Sequence, residues 1–282
     1  MVNESPDVRP RRRLRPTRRG RLALIIGAML VVAAAVVVPL LISGTKGEKE
    51  QTRSLLIPEG LRASQVYAAA DKSLGVAAGT IERAVPSADL ALPAEAKGNP
   101  EGYLFPATYP VGSATTPKSL LRYMVDTALN RFGADHITAG AQRNSVSVYQ
   151  SVTIASVVQA EADTASDMGK VARVVYNRLA RDMPLQMDST LNYALKRSTL
   201  DTTTGDTRID SPYNSYERKG LPPTPIGNPG EQAMRAAISP APGPWLYFVT
   251  VAPGDTRFTD NYAEQLKNVE EFNRNRRAAT SN

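Results

Sequence analysis

The longest apolar run in the chain, Leu22 to Ser43, carries no charged residue. About 20 apolar residues at roughly 1.5 Å each cross the hydrocarbon core of a bilayer, so the run predicts a transmembrane helix over residues 22–43. A cleaved signal peptide is the competing reading, although its apolar region is usually only about 7 to 15 residues. Residues 44–53 are mixed in charge and read as a linker. Leu55-Leu56-Ile57, Pro58-Glu59-Gly60 and Ser64 to Ala70 then predict a strand, a turn and a short helix capped by Ser64. Residues 85–100, rich in Pro, Ala and Gly, read as a loop. The stretch 54–98 is too short to bury much core alone and is expected to pack against the helical region C-terminal to it.

Helical spacing dominates the remainder. Thr116-Pro117 opens a helix that carries Leu120, Leu121, Met124, Val125, Ala128, Leu129 and Phe132 on one face. A second helix is expected from Val148 to Ala162. A third runs from Asp167 to Arg181, with Val171, Val174, Val175 and Leu179 as its stripe. Asn228-Pro229-Gly230-Glu231 reads as an N-cap, a first-turn proline and an acidic third position for a helix through Ala233, Met234, Ala237 and Ile238. Trp245 to Val251 and Arg257 to Thr259 flank Pro253-Gly254-Asp255 as a hairpin, and Tyr262, Leu266 and Val269 mark a closing helix. The fold class is α+β: a helix-rich domain over residues 99–273 with small β-sheets, and a tail over 274–282.

Charge changes the picture of partners. The net charge is +7, but the eight arginines between Arg9 and Arg21, less Glu4 and Asp7, account for +6 and leave +1 for the rest of the chain. The folded part has no basic patch to neutralise a phosphate backbone, which argues against nucleic acid. The same bias holds residues 1–21 in the cytoplasm and everything beyond the apolar run outside it, giving a single-pass protein of the cytoplasmic membrane. With 42% hydrophobic and 22% charged residues, most of the chain should fold. Cysteine is absent, which removes disulfides, thiolate chemistry and Cys-based zinc. His136 is the single histidine and reads as a surface residue beside a helix end. No metal and no cofactor are expected.

One carboxylate stands out. Glu161 follows Ile154 by seven positions and Val157 and Val158 by four and three, so all share one face of a helix. A glutamate on a buried stripe resists ionisation and suits a general acid near neutral pH. Periodicity alone favours the plainer reading, an edge glutamate paired with Arg173 or Arg178.

Ordered motifs weigh on that choice. Glu101 to Tyr109 (EGYLFPATY), Ala155 to Glu161 (ASVVQAE), Val174 to Leu179 (VVYNRL), Leu185 to Thr190 (LQMDST), Ser211 to Tyr216 (SPYNSY) and Gly220 to Ile226 (GLPPTPI) resemble the successive motifs of the YceG-like (MltG) family of endolytic murein transglycosylases, with Ile57-Pro58-Glu59-Gly60 as a further element. The resemblance covers about residues 55 to 272. It implies that residues 99–273 form a catalytic domain, with residues 54–98 as a partial LysM-like segment, and that Glu161 is the catalytic residue. Two departures from the family pattern are Gln159, where a charged residue is common, and the short interval between the apolar run and Ile57.

The implied activity is cleavage of the N-acetylmuramic acid–N-acetylglucosamine bond within nascent glycan strands, with formation of 1,6-anhydro ends. Glycan strands and the membrane would be partners, and cell-wall synthases candidate ones. Gln186 and Asp188 are candidate groups for sugar hydroxyls and N-acetyl groups, with Asp188 equally readable as a helix N-cap. Tyr213, Asn214 and Tyr216 combine flat rings with an amide, which suits sugar recognition, with one of the tyrosines equally readable as a core residue. Glu101 either orients Glu161 or caps a turn. Asn177 and Arg178 read as structural, joining their helix to the catalytic one. Alternatives are a muramidase, which would use two carboxylates, and a non-enzymatic peptidoglycan anchor.

Overall fold

The computed structural model of the protein describes residues 53–198 and 202–280. The arginine-rich tail expected over 1–21, the membrane helix expected over 22–43 and nearly all of the expected linker lie outside the described residues. Among the described residues no helix is long and apolar enough to cross a membrane.

Strand β1 (Arg53–Leu56) pairs antiparallel with β2 (Thr108–Val111), with Leu55 opposite Tyr109. Both side chains are buried, so the early segment finds its core against later sequence, as its small size requires. Helix α1 (Ala63–Leu74) comes next, with Arg62 rather than Ser64 at its N-cap. The expected serine cap is replaced by a distant acceptor, because the carboxylate of Glu101 takes the Ala63 N–H at 2.9 Å. A short helix α2 (Thr80–Ala84) has no signature in the periodicity. It is held by buried Asp71, which accepts from the Gly79 and Ile81 N–H groups at 2.7 and 2.9 Å. The expected loop over 85–100 contains two single 3₁₀ turns.

Helix α3 (Pro117–Phe132) starts as its sequence dictates. Thr116 accepts from the Ser119 N–H, Ser119 returns the bond, and the predicted apolar face is buried except for Leu129, which packs partly buried against it. Helix α4 (Asp135–Arg143), likewise not predicted from the sequence, buries Ile137, Gly140 and Ala141 at helical spacing. Its contact face is small: a Cβ on Gly140 would stand 2.6 Å from that of Ile238, so close approach replaces a stripe of large residues. His136 is exposed in its first turn.

The centre of the domain is α5 (Val148–Glu161), capped by Ser147 accepting from the Gln150 N–H. Helix α6 (Ala165–Ala180) and the short α7 (Asp188–Ala194) come next, then α8 (Glu231–Ile238). Helix α5 packs against α4, α6, α7 and α8, and its residues Ser151 to Val158 are buried on every side. That corrects the expectation of a one-sided stripe: a helix wrapped all round by protein is apolar all round. Strands β3 (Tyr247–Ala252) and β4 (Asp255–Thr259) form the expected hairpin, and α9 (Tyr262–Thr280) packs on β3. Helix α9 continues through much of the expected tail from residue 274.

Asn228 is a second corrected cap, since the N-cap of α8 is Gly230. Fully buried Asn228 instead joins two distant segments. Its side-chain oxygen accepts from the Leu104 N–H at 2.7 Å, and its amide donates to the Leu61 carbonyl at 2.8 Å. Gly102 backs against this region at φ +86, where any Cβ would meet Pro225 at 2.6 Å. Gln159 accepts from the Gly230 N–H at 3.0 Å, so the uncharged residue near the end of α5 serves to start α8.

Candidate active site

Glu161 is the last residue of α5, at the point where the helix leaves the core and its side chain becomes partly exposed. The C-terminal end of a helix carries negative partial charge, which disfavours an anion there. The carboxylate meets the start of α7, where the Ser189 N–H donates to Oε1 at 3.1 Å. Burial pushes the Glu161 carboxyl above the ordinary carboxylate range. Ser189, through its backbone N–H and its otherwise unpartnered hydroxyl, works against this, and the neighbouring charge of Asp188 adds to the upward push. Neither Arg173 nor Arg178 pairs with Glu161. Arg173 donates to the carbonyls of Pro240 and Ala241.

Asp188 opens α7 without capping it, since the N-cap is Met187 with no side-chain bond. Its carboxylate takes the Tyr216 hydroxyl at 2.5 Å. Burial first, and then Asp188 itself, drive the Tyr216 phenol up, so it stays a donor. Glu161, Ser189, Asp188 and Tyr216 therefore form one cluster in which two carboxyl groups lie close enough to feel each other.

Gln186 is exposed beside this cluster, with a left-handed backbone at φ +53. Its side-chain oxygen accepts from Arg178 at 2.9 Å, leaving its amide hydrogens for other acceptors. Buried Arg178 also donates to the carbonyls of Leu246, Pro184 and Leu185 at 2.7 to 3.0 Å. It joins its helix to the start of β3 and to the strap before α7, rather than to α5. The strap is tied to the next loop as well: the Gln186 and Met187 N–H groups donate to the Ser215 carbonyl and hydroxyl at 2.8 and 3.0 Å.

The other expected residues fall into separate roles. Asn214 is buried, and its amide donates to the carbonyls of Thr207 and Ile209 at 3.0 and 2.9 Å, holding the loop that presents Tyr216. The Tyr213 hydroxyl shares a hydrogen with Thr224 at 2.8 Å, and its ring packs against Tyr193 at 4.9 Å. Glu101 is not brought to Glu161. It lies at the far end of α7, where it accepts from Ala63 N–H and from the Tyr193 hydroxyl at 3.0 Å. Burial there pushes its carboxyl up to about 7, against the lowering effect of those two donors and of Arg62. Ser189 and Arg178 contribute in ways that sequence reasoning misses. Both stand inside family-like motifs, but only folding brings Ser189 beneath Glu161. Among the described residues no group of acidic or histidine side chains is arranged to hold a metal.

This arrangement offers one carboxyl with a raised pKa at the partly exposed end of a helix, with a second carboxyl group and the Gln186 amide hydrogens beside it. Residues 32–271 match the model of the YceG-like family. An endolytic murein transglycosylase of Bacillus subtilis is 38% identical over 173 residues, covering 61% of this chain and 48% of the relative. One of Streptococcus pneumoniae serotype 2 is 37% identical over 177 residues, covering 61% of this chain and 32% of the relative. The chain thus spans half or less of those relatives. A crystal structure of a yceG-like protein from Listeria monocytogenes superposes with a TM-score of 0.67 at 29% identity, covering 77% of this chain and 75% of that one.

Proposed function

The chain belongs to the YceG-like family, and on that premise we propose that it is an endolytic lytic transglycosylase that cuts peptidoglycan strands between N-acetylmuramic acid and N-acetylglucosamine. The observation that carries the reading is the place of Glu161 at the partly exposed end of α5, beside Ser189 and Asp188, where burial and then the Asp188 charge push its carboxyl above the ordinary range. The relatives named endolytic murein transglycosylase support the same reading.

In this mechanism Glu161 donates its proton to the glycosidic oxygen as the bond to C1 of muramic acid breaks. The resulting carboxylate then accepts the proton of the muramic acid's own C6 hydroxyl, whose oxygen attacks C1 and closes a 1,6-anhydro ring. An intramolecular hydroxyl has a high effective concentration and outcompetes water in a cleft. The Ser189 N–H steadies the carboxylate during the interval in which it is charged. Gln186 and Tyr216 are assigned to substrate positioning. A two-carboxylate muramidase would recruit Asp188, but its Oδ1 is engaged by Tyr216, which makes it a weaker nucleophile.

Residues 22–43 anchor the chain in the cytoplasmic membrane in this reading, with the arginine tail inside and the catalytic domain facing the wall. Residues 54–98 serve as a shortened LysM-like segment, and wall synthases are candidate partners. The support for the topology is the charge asymmetry around an uncharged apolar run. Digestion of purified peptidoglycan in oxygen-18 water tests the chemistry. Unlabelled anhydro ends are expected, and labelled reducing ends as the main product would replace the transglycosylase by a muramidase.

A further inference from the structure

A groove of about 810 Å³ opens at the far end of α7 from Glu161, within the size range of small-ligand sites. One wall comes from the start of α1 and the other from Tyr193 to Ser198, with Pro212 and Tyr213, just before Tyr216 in the chain, also lining it. Its floor is rigid. Buried Glu101 spends both carboxylate oxygens on the Ala63 N–H and the Tyr193 hydroxyl, which locks the two walls together.

The cations at the mouth are differently placed. Arg62 donates from Nη2 to the Arg197 carbonyl at 2.7 Å and lies 5.3 Å over the Tyr193 ring, which fixes the plane of its guanidinium. Arg197 is neutralised by Asp206 at 2.7 Å. Neither Arg62 nor exposed Lys196 forms an ion pair among the described residues. Glu82 and Glu101 line the same groove, the latter engaged by Ala63 and Tyr193 and acted on by the Arg62 charge. The pre-oriented guanidinium and the exposed ammonium beside an aromatic wall suit carboxylates on an elongated ligand.

We propose that this groove binds the peptide stem of the glycan substrate, with Arg62 and Lys196 taking its carboxylates. The inference rests on the peptidoglycan reading of the active site, which supplies a ligand of that chemistry: a short acidic peptide borne on the lactyl group of the sugar that Glu161 attacks. The reach agrees. Tyr193 lies five residues beyond Asp188 on α7, roughly 7 Å along the helix, and an extended peptide covers about 3.3 Å per residue. Two or three stem residues therefore run from the catalytic sugar into the groove.

The test uses the full chain carrying Glu161→Gln, so that strands are bound without turnover, and calorimetry on uncrosslinked glycan strands before and after an amidase strips the stems. Strands with stems are expected to bind about tenfold tighter or more, as charge-assisted bonds from two cations imply. Adding Arg62→Ala or Lys196→Glu should bring the ratio of the two affinities toward one. If Arg62→Ala does not fold, Lys196→Glu at its exposed position carries the test. Equal affinity for both strands in the parent chain overturns the proposal, and so does a ratio that neither variant changes. Loss of affinity for stripped strands to the same degree would assign the groove to sugar and also overturn it. The two readings fail separately. A stem-dependent ratio in the Glu161→Gln chain, with a wild-type chain that releases no anhydro ends, leaves the groove and sinks the transglycosylase, whereas normal cleavage by the wild-type chain with a ratio of one sinks only the groove.

Discussion

The backbone N–H of Ser189 donates to Oε1 of Glu161 at 3.1 Å, joining the C-terminal end of α5 to the N-terminal end of α7. The two helix ends act on the carboxyl in opposite senses. The end of α5 and the surrounding burial favour the neutral acid, while the N–H at the start of α7 favours the anion. In the proposed reaction Glu161 donates a proton and then takes one back, which needs both states within reach, and this junction supplies an environment for each.

Replacing Glu161 by Gln keeps the size of the side chain and an oxygen for the Ser189 N–H, so the fold should persist with an unchanged melting temperature. Release of anhydro-muropeptides should fall by about 100- to 10,000-fold, the usual contribution of proton transfer. Near-normal release from the folded variant would remove Glu161 from the mechanism.

Asp188→Asn tests the electrostatic half of the cluster. The Asp188 charge raises the Glu161 pKa, so its removal lets Glu161 lose its proton at lower pH. The alkaline limb of kcat/KM against pH should therefore move down, with about tenfold or less lost at neutral pH and little lost in acid. An amide oxygen still accepts from Tyr216. An unmoved pH profile with a raised KM would instead confine Asp188 to binding substrate.

Legibility in the sequence tracks the range of the interactions. Helix α3 can be read completely, because its Thr116–Ser119 cap and buried face are local. Glu161 is legible through its motif, but the stripe argument is not sound, since α5 is buried on all sides and carries no period. Ser64 and Asn228 have the composition of caps, yet the actual acceptor at α1 comes from Glu101, and Asn228 is claimed by Leu104 and Leu61. In each case a distant polar group wins over the local one. Glu101 itself lies in a motif, which carries no information about which end of α7 it occupies. Helix α4 is hidden because Gly140 and Ala141 make its contacts by closeness instead of bulk.

Glu101 makes stability depend on pH. Its folded pKa of about 7 lies above the ordinary glutamate value of 4.5, so the folded protein binds this proton more tightly than the unfolded chain. Its contribution to stability is therefore full below about pH 4.5 and is lost as pH rises toward 7, a difference of about 3 kcal/mol. Denaturant titrations from pH 4.5 to 8 should show that Glu101→Gln flattens this decline and is more stable than wild type at the alkaline end. Parallel curves for the two proteins would place the pH dependence elsewhere.

Arg178 supports the site without touching Glu161. Its Nε points to the Leu246 carbonyl, and Nη1 points to Pro184, Leu185 and Gln186, so one planar fork holds β3 and the strap before α7 in fixed relation. Arg178→Ala leaves buried carbonyls unsatisfied and should cost about 3 kcal/mol or more, or about 6 to 12 °C in melting temperature for a domain of this size. Arg178→Lys separates charge from geometry. A single ammonium reaches one side of the fork at a time, so lysine should recover part of the lost stability but not hold the strap. Because Gln186, Asp188 and Ser189 lie on or directly after that strap, the lysine variant should keep a reduced kcat at temperatures where circular dichroism shows it folded. Full recovery of kcat by lysine would mean that positive charge alone suffices, and the fork would then have no part in setting Ser189 beneath Glu161.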